Sequence, residues 1–337
     1  MLIRNIGEFN LINRISANLG NPSRCVIAGI GDDSAALHSS GGRLQLVTTD
    51  MLVEGVHFRA STASPFQIGW KSLAANISDI AAMGGEPTYA FVSIGLPKDT
   101  DVEFVDDIYS GMKEIAEQYS VDIVGGDTVS SPEIIINISL LGEVEPENCI
   151  LRSGAEVGDA VFVTGDLGGS SAGLEILERK LPLDKKEKHL MPIPRVHEGR
   201  LLAKSGCVTA MIDISDGLAS EIHHICKQSG TGAEIFMKYI PLSDNVPIVA
   251  EYTGKDPYHF ALYGGEDYEL LFTCKPEKVP YIREIFTINT DLTMIGNIVE
   301  NDRSVCIRDL SDRLIMLNSG GYDHFSTEKR GKNGKDD

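Results

Sequence analysis

The chain has 337 residues, 42% of them hydrophobic, with 34 glycines and one tryptophan, which fits a globular protein and excludes fibrous repeats. Its 49 acidic against 30 basic side chains leave a formal charge of −19, which opposes a broad grip on nucleic acid. No run reaches the roughly 18–20 apolar residues of a membrane span, the N-terminus is too polar for a secretory signal, and the cysteines are scattered, so a cytoplasmic protein without membrane or nucleic-acid partner is expected.

At this length two domains are expected. Residues 44–48 predict a strand, and 65–83 a helix opened by Ser64 and Pro65 and ended by GGEP. Strands follow at 90–96, 121–124 and 134–142, with a helix over 101–119. The stretch SGAEVGD then breaks the pattern and sets a boundary near 148–158. Expected domains are 1–148 and 149–325, with 326–337 a disordered tail. The second half predicts strands at 160–164 and 208–212, helices around 172–179 and over 218–228, and strands at 234–237, 268–274, 294–299 and 304–307. The fold class is mixed α/β.

Seven aspartates stand at predicted element ends: Asp32, Asp33, Asp50, Asp79, Asp127, Asp213 and Asp216, in GIGDDSAAL, VTTDMLVEGVHF, NISDIAAMGGEP, VGGDTVSS and MIDISDGLASE. Apolar neighbours hold each carboxylate at an edge or in a cleft, where desolvated like charges repel. Magnesium resolves that conflict, since it takes carboxylate and water oxygens and completes its octahedron with substrate phosphates. Taken singly, each aspartate reads equally as a helix cap or turn residue. Thr48 and Thr49 either add a hydroxyl or carbonyl ligand beside Asp50 or simply favour a strand.

Five further segments offer ligands. VTGDLGGSSAGLEIL runs from a strand through glycines into a helix whose N-terminus either suits an anion or is a plain capped turn, since it lacks a Walker Gly-Lys-Ser/Thr. Gly126 beside Asp127 allows close backbone approach to a ligand. His57 in EGVHF is a candidate phosphate donor, Arg152 in ILRSGA a candidate phosphate fork, and Glu266 in GGEDYELLF a carboxylate at the mouth of a sheet.

In order, GIGDDSAAL, TTDMLVEGVHF, NISDIAAMGGEP, GGDT, VTGDLGGSSAGL, DISDGL, GGEDYEL and GYDHF resemble the motif series of thiamine-monophosphate kinases, from about Gly7 to Phe325. These belong to the aminoimidazole-ribonucleotide synthetase-like (PurM-like) ATP-binding superfamily. The resemblance implies a two-domain α/β fold and a homodimer formed largely by N-terminal domains. It also implies direct transfer of the γ-phosphate of ATP to thiamine monophosphate, giving thiamine diphosphate. It assigns magnesium (Mg2+) to Asp33, Thr48, Thr49, Asp50, Asp79, Asp127, Asp213 and Asp216. ATP contacts fall on Tyr109, Gly126, Arg152 and Ser215, and substrate contacts on His57, Glu266 and Tyr322, the last where many relatives have tryptophan.

The implied reaction is in-line attack of one phosphate on another, with no protein nucleophile and no strong general base, because a phosphate monoester is already ionised. Two other readings stand beside it. One is a superfamily member that activates an amide or carbonyl oxygen with ATP. The other is a non-catalytic metal-binding protein, although the aspartate spacing does not match an EF-hand loop.

Overall fold

A computed structural model describes residues 2–19, 22–300 and 304–321, so Tyr322 and the expected tail at 326–337 lie outside the described residues. The first sheet contains β1 (Val26–Ala28), β2 (Ala35–His38), β3 (Leu44–Val53), β4 (Glu86–Leu96), β5 (Asp122–Ser130) and β6 (Ile135–Val144). Their order is β1-β2-β3-β6-β4-β5, antiparallel except where β4 meets β5. Its helices are α1 (Gly7–Leu19), α2 (Pro65–Ala82) and α3 (Val102–Tyr119).

The second sheet contains β7 (Ala160–Thr164), β8 (Val208–Asp213), β9 (Gly232–Phe236), β10 (Leu270–Cys274), β11 (Leu292–Val299), β12 (Val305–Arg308) and β13 (Leu314–Met316). The order is β13-β12-β9-β11-β7-β10-β8, and only β12 with β9 is parallel. Its helices are α4 (Gly169–Arg179), α5 (Glu187–Leu190), α6 (Val196–Lys204), α7 (Leu218–Ser229), α8 (Val246–Thr253), α9 (Pro257–Tyr263) and α10 (Val279–Ile285).

Helix α2 joins the two halves. Ser64 and Gln67 close a reciprocal capping box at its start, with Pro65 in the first turn, as the sequence pattern predicts. From Ile68 to Ala82 almost every residue is buried, the mark of a helix covered all round. It packs on β3, β6 and α3 on one side and on α6 and β8 on the other. Arg200 of α6 strengthens the junction by donating to the Gly84 carbonyl at 2.7 Å and to Glu145 at 2.9 Å.

Strand β3 alternates cleanly. Leu44, Leu46, Thr48 and Leu52 turn toward the core while Thr49 and Met51 are exposed, so the first sheet has an inner face under α2 and an open outer face. Strand β5 runs on through Gly125, Gly126 and Asp127, past the end expected at residue 124, because β4 supplies its ladder. Gly126 has φ +154°, and a Cβ there would lie 1.7 Å from the Val92 carbonyl oxygen. Contact with β4 therefore requires a glycine here. Among the elements without a sequence prediction, β1, β13 and α5 are too short to show a period.

Helices α2 and α3 cross with their backbones touching. A Cβ on Gly69 would stand 1.9 Å from the Ile108 carbonyl oxygen, and one on Gly111 would stand 1.9 Å from that of Phe66. Replacing either glycine with alanine should destabilise the fold by about 1–3 kcal/mol, the usual cost of overpacking. Urea melts would show a lower midpoint, and unchanged midpoints for both variants would refute the reciprocal contact.

Candidate active site

Carboxylate oxygens of Asp33, Asp79 and Asp213 lie within 4.8 Å of one another. Asp33 comes from the loop before β2, Asp79 from the last turns of α2 and Asp213 from the end of β8. The loop, the central helix and the second sheet thus meet at one point. Thr48 donates to Asp79 Oδ2, and the buried Ser78 hydroxyl donates to Asp213 Oδ2 at 2.5 Å. Asp50, on the inner-face side of β3, donates its backbone N–H to Asn76 Oδ1 at 3.1 Å, and its charge acts on both Asp79 and Asp213.

This arrangement is costly without a cation. Burial raises the Asp50 pKa to about 6. Burial and then the charge of Asp33 push Asp213 up to about 8, and burial followed by Asp50 pushes Asp79 well above the ordinary range. Asp33 Oδ2 and Asp213 Oδ1 are buried without a hydrogen-bond partner. An all-oxygen donor set with two orphaned carboxylate oxygens fits a small hard cation.

Arg152 reaches the same centre. Its Nε and Nη2 donate to Asp33 Oδ1 at 3.1 and 2.6 Å, and its backbone N–H donates to Asp32 at 3.2 Å. The expected phosphate fork is therefore already docked on the acidic cluster, one oxygen away from the unpartnered Oδ2. Ser215 and Asp216 follow β8 in the adjacent loop. The Ser215 carbonyl accepts from Glu266 N–H at 2.7 Å, and Asp216 N–H donates to the buried Glu221 at 2.9 Å.

Two expected metal residues stand apart from the cluster. Thr49 lies on the outer face, where its hydroxyl bonds the Ile138 carbonyl at 3.2 Å. Asp127 is exposed on the edge strand and reaches the level of Met51 only through Ser93 and Asn137. Three strand spacings separate them, roughly 14 Å. Gly126 lies on β5 and Tyr109 on the partly buried surface of α3, neither of them in the cluster.

The glycine loop before α4 takes the capped-turn alternative of its sequence reading. Its N–H groups are taken by an internal carboxylate: Asp267 accepts from Gly168 at 2.6 Å and from Ser170 at 3.0 Å. The helix dipole favours an anion there, and the chain supplies its own. That helix start is a structural cap and not a phosphate cradle.

A cavity of about 800 Å³ is walled in part by Met51, His57, Lys71, Leu177 and His189. His57 Nδ1 accepts the Val53 N–H at 3.0 Å, which leaves the proton of the neutral ring on Nε2. Glu266 Oε2 is 2.8 Å from Lys71 Nζ and 3.3 Å from His189 Nδ1. Burial acts to raise the Glu266 pKa, but Lys71 and His189 hold it well below the usual carboxylate range. Sequence reasoning missed Lys71 and His189. A lysine inside the apolar run of α2 was the available signal.

Because Asp50 and Asp213 titrate near 6 and 8, above the free value of 3.8, the folded chain binds more protons than the unfolded chain over that interval. Their contribution is favourable in mild acid and is lost as pH rises through those values. In EDTA, the fall in Tm between about pH 5.5 and 8 should be smaller for Asp213→Asn than for the unsubstituted chain, and magnesium should raise the latter's Tm at pH 8. An equal fall in both proteins would contradict the crowding of these carboxylates.

Comparison with known proteins places this geometry. The AIR synthase related protein N-terminal domain matches residues 31–144, and its C-terminal domain matches 156–309. Thiamine-monophosphate kinase of Aquifex aeolicus (strain VF5) is 38% identical over 309 residues, 90% of this chain and 94% of that protein. The Bacillus subtilis (strain 168) thiamine-monophosphate kinase is 37% identical over 328 residues, 94% of this chain and 99% of that one. The solved structure of AaThiL complexed with AMPPCP and TMP matches with a TM-score of 0.84 at 36% identity, covering 96% of this chain and 99% of that chain. The expected fold class, a mixed α/β aminoimidazole-ribonucleotide synthetase-like fold, is the one found. With its acidic cluster drawn from a loop, the central helix and the second sheet, and with its full-length likeness to these enzymes, the chain belongs to the thiamine-monophosphate kinase family.

Proposed function

We propose that this protein transfers the γ-phosphate of ATP to thiamine monophosphate, forming thiamine diphosphate and ADP. The observation that carries the reading is the Asp33, Asp79 and Asp213 cluster with its unpartnered buried oxygens, in a chain alike over its whole length to thiamine-monophosphate kinases. AaThiL complexed with AMPPCP and TMP is the relative whose ligands match these two substrates.

In this reading an oxygen of the substrate phosphate attacks the γ-phosphorus as the bond to the bridging oxygen breaks, and ADP leaves. Magnesium ions, when bound, neutralise charge on the transferring group. Asp33, Asp79 and Asp213 hold them, with Thr48, Asp50 and Asp216 at the margin. Arg152 and Ser215 meet the nucleotide phosphates, and the Nε2–H of His57 meets the thiamine compound at the cavity. Glu266, held by Lys71 and His189, is a second contact to the thiamine compound. Tyr322 completes the substrate contacts in this proposal. No group needs to act as general base, since the attacking oxygen is already ionised.

A homodimer accounts for the residues left outside the cluster. The outer face of the first sheet exposes Met51, Tyr89, Phe91 and Val129, an apolar surface suited to a second copy. Pairing through the unit taken as 1–148 would bring Asp127, Gly126, Tyr109 and Thr49 of one copy toward the cluster of the other, with 149–325 as the second unit. Among the described residues all six cysteines are free thiols and no helix is long and apolar enough to cross a membrane, in keeping with a cytoplasmic setting.

Incubation with ATP, magnesium and thiamine monophosphate should yield thiamine diphosphate by chromatography, and Asp79→Asn or Asp213→Asn should lose about 10²–10³-fold in kcat. ADP formed only with another acceptor would favour the carbonyl-activating reading, and ATP binding without turnover the non-catalytic one. If sites are shared, inactive Asp127→Asn and Asp213→Asn chains refolded together should recover about a quarter of full activity, because half the dimers are mixed and each holds one intact site. No recovery, with mixed dimers present, would place each site within one chain.

A further inference from the structure

Lys71 is a charged residue in the wrong place for a structural one. It projects from the buried body of α2, only 3% exposed, between the two sheets and on the wall of the large cavity. An ammonium is almost never buried so deeply unless it is paired. Its Nζ donates to Glu266 Oε2 at 2.8 Å and to the His57 carbonyl oxygen at 3.3 Å. These partners come from segments 14 and 195 positions away in the chain. Both carry the side chains that the proposed function sets against the thiamine compound.

The geometry of Glu266 is equally constrained. Its backbone sits at φ +66°, a left-handed conformation that costs a non-glycine residue energy and persists only where the surroundings impose it. Its N–H is tied to the Ser215 carbonyl at 2.7 Å. Oε2 carries both Lys71 and His189, and His189 Nδ1 also lies 3.1 Å from Ser170 Oγ. Oε1 has no such clamp. The carboxylate charge is thus already met, so a cationic thiazolium ring gains little beside it and is repelled by the ammonium. A neutral N–H donor suffers no such repulsion. In thiamine monophosphate the only N–H bonds are those of the aminopyrimidine amino group.

We propose that Lys71 is a positioning residue for thiamine monophosphate, one that fixes Glu266 Oε2 and the His57 carbonyl so that Oε1 accepts a hydrogen bond from the substrate's amino group. This inference rests on the proposed function and extends it to a residue that need not touch the substrate.

The test uses the full-length protein with ATP and magnesium. Lys71→Met, Lys71→Arg, Glu266→Gln and the Lys71→Met/Glu266→Gln double variant are assayed for kcat and for KM of each substrate. Lys71→Met and Glu266→Gln should each raise KM for thiamine monophosphate about tenfold or more while leaving KM for ATP within about twofold. Lys71→Arg should recover most of the loss, and the double variant should be no worse than the worse single one. An unchanged KM for thiamine monophosphate in Lys71→Met, or losses that multiply in the double variant, would overturn the proposal. If Lys71→Met does not fold, Glu266→Gln decides alone, and an unchanged KM there overturns it. Failure of the unsubstituted protein to make thiamine diphosphate would instead remove the functional reading beneath it.

Discussion

Three carboxylates held within 4.8 Å of one another and largely shut off from water set the terms for the rest of the molecule. Coulomb repulsion at that separation is strong wherever the dielectric is low, so the folded chain must protonate them, pair them or give them a cation. Each remedy is visible in part. Burial raises Asp50, burial and neighbouring charge raise Asp79 and Asp213, Arg152 pairs Asp33, and Thr48 and Ser78 supply hydroxyl donors. Two buried oxygens still lack a partner. A site that carries this strain at rest is prepared to be relieved by divalent cations and the phosphates that accompany them.

Helix α2 makes that concentration of charge possible. Because it is covered on all sides, it places Asp79 against Asp213 of the second sheet near its end and Lys71 against Glu266 near its start. One helix therefore serves two chemically opposite junctions, an acidic one suited to metal and phosphate and a paired one beside the cavity. The backbone contact between Gly69 and α3 lies just before Lys71, so the packing that positions the helix also fixes the start from which Lys71 projects.

Much of this was legible in the sequence. The Ser64–Pro65 start, the apolar run and the GGEP stop defined α2 almost to the residue, since capping and glycine chemistry are local. The aspartates were conspicuous because carboxylates flanked by apolar residues need a reason. What sequence could not show was which of them converge. Thr48 and Thr49 are neighbours in the chain but face opposite sides of β3, and Asp127 lies three strands across the sheet. The glycine loop before α4 had the chemistry of an anion site, and only the fold reveals that Asp267 fills it. Lys71 escaped notice because its partners, His57 and Glu266, are separated from it by different and unpredictable distances along the chain.

The central claim is that Asp33, Asp79 and Asp213 together form a divalent-cation site serving the nucleotide. Equilibrium dialysis with manganese as a magnesium surrogate, in the presence of a non-hydrolysable ATP analogue, tests it most directly. The account predicts saturable binding by the unsubstituted protein and loss of at least one bound ion in the Asp79→Asn/Asp213→Asn double variant, with the fold retained by circular dichroism. Equal manganese occupancy in the two proteins would contradict it.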